Sequence, residues 1–206
     1  MKQLQISDIN LEGVSAIVFD LDGTLYDKKY YPLRLVLSDL RHAFLASSER
    51  RARRLLKGQY FGNPEAFYRS LFWHISRHQN IPFQQARDWY FATYMPLTIR
   101  LMKKYYHVGE FVEPLIRALK ERCIKTAVFS DYPCVEEKLI ALGADLRWFD
   151  YLFIAPEMGG LKPNKQLFEN MIAQMEEEAQ SVIMIGDRED TDGNGARAAG
   201  MRFIKV

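Results

Sequence analysis

Cysteine is nearly absent. Only Cys123 and Cys134 occur in 206 residues, and neither a CxxC pair nor a disulfide framework can be built from them. Both are expected to be buried thiols in a reducing compartment. Long apolar runs are missing as well: no stretch is apolar for long enough to span a bilayer. The opening MKQLQISDINLEG is polar and has no apolar h-region. A cytoplasmic protein with no membrane partner is therefore expected. Nor is charge of one sign in excess, since a formal net charge of +2 is too small to imply a nucleic-acid partner. What remains is ordinary globular usage, 48% hydrophobic and 26% charged. That balance suits a chain that folds unaided into a core domain with a smaller appendage.

Five short runs are rich in β-branched and aromatic residues: SAIVFD from Ser15, IKTAVFS from Ile124, YLFIA from Tyr151, SVIMIG from Ser181 and RFIKV from Arg202. Nearly continuous apolar runs of this length suit strands buried on both faces. Between the later ones lie the helix-like stretches VEPLIRALKER, VEEKLIALG, NKQLFENMIAQMEEEA and NGARAAG. Strand and helix alternate, which predicts an α/β fold: a Rossmann-like parallel sheet with helices on both faces. The stretch from 28 to 107 breaks the alternation. It reads as several helices interrupted at KGQYFGNP and NIPF. The predicted organisation is a catalytic core from residues 1–27 and 108–206, with a helical cap, 28–107, inserted between the first and second core strands.

Parallel sheets bind ligands outside the carboxyl ends of their strands, and the polar residues of interest follow strands. Asp20 and Asp22 follow the first, Ser130 and Asp131 the second, Gly186 and Asp187 the fourth. In VFDLDGTLYD, side chains two apart on an extended backbone point to one side, so Asp20 and Asp22 can face one spot. Two carboxylates there repel unless a cation, a proton or a basic side chain lies between them.

In order and spacing, DLDGT, FSDYP, GGLKPNKQLF and GDREDTDGNGARAAG resemble the four motifs of the haloacid dehalogenase superfamily, in its Mg-dependent phosphatase branch. The resemblance covers the whole core. It implies that Asp20 is the nucleophile that takes up a phosphoryl group and that Asp22 is the general acid and base. It further implies Mg²⁺ held by Asp20, the Asp22 carbonyl and Asp187, with Asp192 holding a coordinated water. Lys162 would neutralise nucleophile and phosphate together, and Ser130, with a backbone amide beside it at Asp131, would hydrogen-bond a phosphoryl oxygen. One departure stands out: Asp131 follows Ser130 where the family often has asparagine. The chemistry is coherent, because a carboxylate nucleophile splits one hard displacement into two easier ones. A second carboxyl can protonate the leaving oxygen and later deprotonate water, while phosphoryl transfer mainly needs charge stabilisation. Mg²⁺ prefers such oxygen ligands.

Other features read as structural. Asp27 is taken as a solvated turn residue or helix cap, and Asp190 as a surface residue. The basic window ERRARRLLKGQY, with four arginines and Lys57, is expected to be a solvated helix face. His74 and His78 share a metal-ligand spacing but lack the glutamate of an HExxH motif. The aromatics of AFYRSLFWHI and DWYFATYMPL are expected mostly to fill the cap's core. The expected function is a Mg²⁺-dependent phosphohydrolase acting on a small phosphorylated metabolite through a phospho-Asp20 intermediate. Its rivals are a sugar-phosphate mutase of the same family and a non-catalytic module binding through the basic cap surface. True dehalogenation fits less well, since it leaves Asp22 and the metal-binding acids without a task.

Overall fold

The computed structural model describes residues 4–206. Five parallel strands form one sheet in the order β3-β2-β1-β4-β5. They are β1 (Ala16–Phe19), β2 (Lys125–Ser130), β3 (Tyr151–Ile154), β4 (Val182–Gly186) and β5 (Arg202–Lys205). Every residue of β1 and β4 is buried, as strands covered on both faces require. The chain builds outward from β1 to β3, then returns to β4 on the other side of β1. The strand order therefore reverses at the β1/β4 boundary, where open α/β sheets bind ligands.

Helices cover both faces. One face packs against α6 (Val112–Lys120) and α7 (Val135–Ala141), with Phe19, Val128, Leu115, Leu119 and Leu139 in one cluster. The other packs against α8 (Lys165–Met175) and α9 (Asn194–Ala198), where Val18, Phe129, Phe168 and Met171 meet. Each expected helix forms, although α8 stops at Met175 because Glu176 adopts a left-handed conformation.

Between β1 and β2 lies an all-helical insertion. It comprises α1 (Tyr31–Ser38), α2 (Ala43–Leu56), α3 (Pro64–Gln79), α4 (Phe83–Trp89) and α5 (Met95–Tyr105), with a π-turn over Tyr90–Tyr94 joining the last two. The α2/α3 and α3/α4 breaks fall at the two interruptions seen in the sequence, whereas the break between α1 and α2 at Asp39–His42 has no such signal. Asn63 caps α3, accepting a bond from the Ala66 amide at 2.8 Å, and Pro64 opens the helix. The insertion has its own core, in which Phe67, Phe72, Trp89, Tyr90 and Tyr94 are buried. Each such side chain contributes roughly 1.5–3 kcal/mol when fully buried.

The cysteine expectation is corrected. Cys123 is exposed and Cys134 only half-buried. Cys123 sits at φ 56° in the turn between α6 and β2, and Cys134 at φ 61° just before α7. Turn and cap backbone runs along the surface, so local conformation outweighs the thiol's preference for burial.

Candidate active site

The site begins where β1 stops. The Asp20 amide donates to the Ile185 carbonyl at 2.8 Å, fixing the first turn after β1 against β4. The Asp20 carboxylate is buried and receives Thr24 Oγ1 at 3.1 Å on one oxygen and Lys162 Nζ at 2.8 Å on the other. The same ammonium donates to Asp192 Oδ1 at 2.6 Å and to the Phe129 carbonyl at 3.1 Å. Asp131 holds this lysine from behind, its Oδ1 accepting the Lys162 amide at 2.9 Å.

Asp22 has separate partners. Its carboxylate accepts the Tyr26 hydroxyl at 2.7 Å, Lys138 Nζ at 3.2 Å and the Ser130 hydroxyl at 3.5 Å. Ser130 is fully buried, and its oxygen also accepts the Tyr132 amide at 3.0 Å, which tightens the loop after β2. Asp20 and Asp22 line one cavity of about 230 Å³, and each carboxylate carries its own buried lysine. Lys138 escaped the sequence reading. A signal exists: Val135, Lys138, Leu139 and Leu142 are all buried, so the lysine lies on the apolar stripe of α7.

Carboxylate oxygens of Asp20, Asp187 and Asp192 lie within 4.8 Å of one another and could hold a metal ion. Asp187 directly follows β4, and a π-turn over Glu189–Gly193 returns Asp192 to it. The Asp22 side chain is turned away toward Lys138, but its carbonyl joins the group. Lys28 Nζ lies 2.7 Å from that carbonyl and 2.6 Å from Asp187 Oδ2. The donor set is all oxygen and already surrounds one positive charge, so it fits a hard divalent cation such as Mg²⁺. Lys28 is the second residue that sequence reasoning missed. It lies six residues from its acceptor Asp22 and 159 from Asp187, and only the fold joins the two contacts.

The electrostatics follow from one ammonium between two buried carboxylates. Burial opposes the Lys162 charge, but Asp192 and Asp20 outweigh it and hold the ammonium above the ordinary lysine range. Burial, with Asp20 nearby, pushes Asp192 up to about 6 in spite of Lys162. A surplus negative charge therefore awaits either a proton or a cation. Burial also opposes the Asp22 carboxylate, yet Lys138 and the Tyr26 hydroxyl prevail and lower it. Asp131 goes the other way: desolvation raises it despite Lys162.

A sequence model of the haloacid dehalogenase-like hydrolase family matches residues 14–200. The chain belongs to that family. Among curated proteins, this hydrolase is 28% identical over 208 residues to a glyceraldehyde 3-phosphate phosphatase of Methanothermobacter thermautotrophicus, covering 94% of this chain and 85% of the relative. Its fold matches a 2-haloacid dehalogenase from Pseudomonas syringae at 18% identity and TM-score 0.64, covering 94% of this chain and 86% of the other. It also matches a HAD phosphatase from Thermococcus onnurineus at 20% identity and TM-score 0.59, covering 94% and 86%. These last two likenesses concern the fold alone.

The basic window of this hydrolase departs from expectation. Arg51 and Arg54 are exposed and Arg50 is half-buried, but Arg53 is buried together with Glu49. Arg53 pairs with Glu49, donates to the Tyr90 hydroxyl at 2.6 Å and to the Asp131 carbonyl at 2.7 Å, and stacks 4.0 Å from the Tyr132 ring. Ala46, Glu49, Ala52, Arg53 and Leu56 form the buried stripe of α2, so helical spacing carries the ion pair inward. Asp190 is exposed and pairs with Lys57, just past the end of α2, and with Arg188. Asp27 is exposed and accepts the Lys29 amide at 2.9 Å. His78 Nδ1 is 2.8 Å from the Ser48 hydroxyl, and His74 packs against Trp73. No helix among the described residues is long and apolar enough to cross a membrane.

Proposed function

We propose that this hydrolase is a Mg²⁺-dependent phosphatase acting on a small phosphorylated metabolite through a phospho-Asp20 intermediate. The observation that carries the reading is the Asp20 carboxylate at the switch point of the sheet, with Lys162 at 2.8 Å and Asp22 on the same cavity. The helical insertion, residues 28–107, serves as a cap over that cavity. The curated relative's name supports a phosphate ester as substrate.

Lys162 neutralises one Asp20 oxygen and leaves the other to attack phosphorus, displacing the substrate's alcohol oxygen. Asp131, by holding the Lys162 amide, keeps the ammonium aimed at the reacting oxygens. The Ser130 hydroxyl and the Asp131 amide beside it donate to a phosphoryl oxygen. Asp22 gives a proton to the leaving alcohol and later takes one from the water that hydrolyses the aspartyl-phosphate. In the free protein Lys138 keeps Asp22 ionised; a doubly charged ester beside it adds negative charge and shifts its carboxyl upward. Asp20, Asp187, Asp192 and the Asp22 carbonyl would hold Mg²⁺, which supplies positive charge against the phosphoryl oxygens.

A panel of phosphate esters, including glyceraldehyde 3-phosphate and p-nitrophenyl phosphate, tests this reading. Phosphate release that EDTA stops and excess Mg²⁺ restores is expected. Asp20→Asn should keep its circular dichroism spectrum and melting temperature while losing at least about 1,000-fold in kcat. Retained turnover in that variant would end the covalent mechanism.

A further inference from the structure

A second cavity, about 560 Å³, lies between α2 and the loops after β2 and β4. Arg50, Arg53, Arg54, Lys57, Lys162 and Arg188 all line it. Lys162 is engaged by Asp20 and Asp192, and Arg53 by Glu49, Tyr90 and the Asp131 carbonyl. Lys57 and Arg188 share a single acid, Asp190. Arg50 and Arg54 have no acidic partner among the described residues. Asp131 is the one carboxylate on the wall, and it is turned to the Lys162 amide. Arg50, Lys162 and Arg188 also line the neighbouring cavity that holds Asp20 and Asp22, so the two spaces share a wall.

Arg50 and Arg54 are four apart on α2, which sets like charges side by side on one helix face, and Lys57 follows where that helix ends. Such pairs destabilise a helix. The placement becomes favourable once an anion lies among them. Lys162 lines both cavities and grips Asp20, where the transferred phosphoryl group goes, so the cations beyond it are left for the leaving group. We propose that the substrate is a phosphate ester whose leaving portion carries a second anionic group, a carboxylate or a second phosphate, bound by Arg50 and Arg54 with help from Lys57 and Arg188. Guanidinium forks match both groups in bidentate fashion. This inference rests on the phosphatase reading and names the substrate class for the same site.

Three sets of esters test it: neutral leaving portions (glyceraldehyde 3-phosphate, glycerol phosphate), a carboxylate (phosphoglycolate, phosphoglycerate) and a second phosphate (a sugar bisphosphate). One two-anion set should exceed the neutral set at least about tenfold in kcat/KM. Arg50→Ala and Arg54→Ala should each cost that set about 10- to 100-fold, chiefly in KM, and cost the neutral set several times less. Equal losses on all sets, or a wild-type preference for neutral esters, overturns the proposal. Calorimetric binding of phosphoglycolate, a sugar bisphosphate and glycerol phosphate to the Asp20→Asn variant separates the two readings. If wild type hydrolyses nothing but this variant binds a two-anion ester more tightly, the phosphatase reading falls and the anion site stands. If glycerol phosphate binds as well as either, the anion site falls. A single-stranded oligonucleotide bound more tightly than any ester also overturns it, in favour of a nucleic-acid surface.

Discussion

Lys28 and Lys162 are both lysines on aspartates, yet they do different things. Lys162 is buried and donates three bonds to fixed acceptors, so its ammonium is held in place beside Asp20. Lys28 is 44% exposed along its side chain and reaches in with only its ammonium. It touches the Asp22 carbonyl and Asp187 Oδ2, two oxygens proposed to hold the metal. A divalent cation must displace it, and a competing tethered charge lowers apparent affinity by the fraction of time it occupies the site. Lys28→Met should therefore tighten Mg²⁺ binding about tenfold in calorimetric titration. Unchanged or weaker binding would show that Lys28 does not compete for those oxygens.

At the scale of elements, α2 is one of the pieces that join insertion to core, alongside α5, whose Met102 lies in the core cluster. Glu49 precedes Arg53 by four residues, the favourable order on a helix, and both are buried. A buried pair contributes little net stability, but removing one partner strands the other charge. Arg53→Ala should thus cost about 3–5 kcal/mol in urea unfolding. The double variant Glu49→Ala/Arg53→Met should recover part of that loss, because neither charge is then left without a partner. A loss below about 1 kcal/mol for the single variant would show that Glu49 finds water or takes up a proton. The π-turn at Glu189–Gly193 has a comparable joining role: the Asp192 amide donates to the Arg188 carbonyl at 2.9 Å, which brings Asp192 to the lysine that Asp20 also uses. Single π-turns of this kind recur at functional sites.

Across the whole molecule, the insertion is held to the core at more than its two chain crossings. Residues 58–63 lie alongside 159–164. Phe61 donates to the Gly159 carbonyl at 2.7 Å and Leu161 to the Gln59 carbonyl at 3.1 Å, in an antiparallel bridge of Tyr60 with Gly160. The Asn164 side chain adds a bond to the Gly58 carbonyl at 3.0 Å. Gly159 has φ 86°, and a Cβ there would meet the Asn63 amide nitrogen at 2.5 Å. Gly159→Ala should cost about 1–3 kcal/mol and speed hydrogen exchange at Phe61. Unchanged exchange there would mean that this joint does not hold the insertion in place. Lys162 lies in the same segment, so the joint also couples the position of α2 to the residue that grips Asp20.

The strands, the helices around them, the helical insertion and the order in which acids and lysine reach the strand ends can all be read from the sequence. Those properties are local: a run of Val, Ile and Phe is a buried strand wherever it lies, and DLDGT follows it at once. The insertion's aromatic core was legible for the same reason, since large apolar side chains at helical spacing must be covered. Which charges meet depends on how the chain folds. Lys138 and Asp22 are 116 residues apart, Lys28 and Asp187 are 159 apart, and Arg53 reaches Asp131 across 78. Charge periodicity in α2 looked like a solvated face, because a sequence does not reveal that another element waits opposite with a carbonyl, a ring and a hydroxyl. Hydrophobic burial depends on pattern and so is written locally, whereas an ion pair depends on two positions and the space between them.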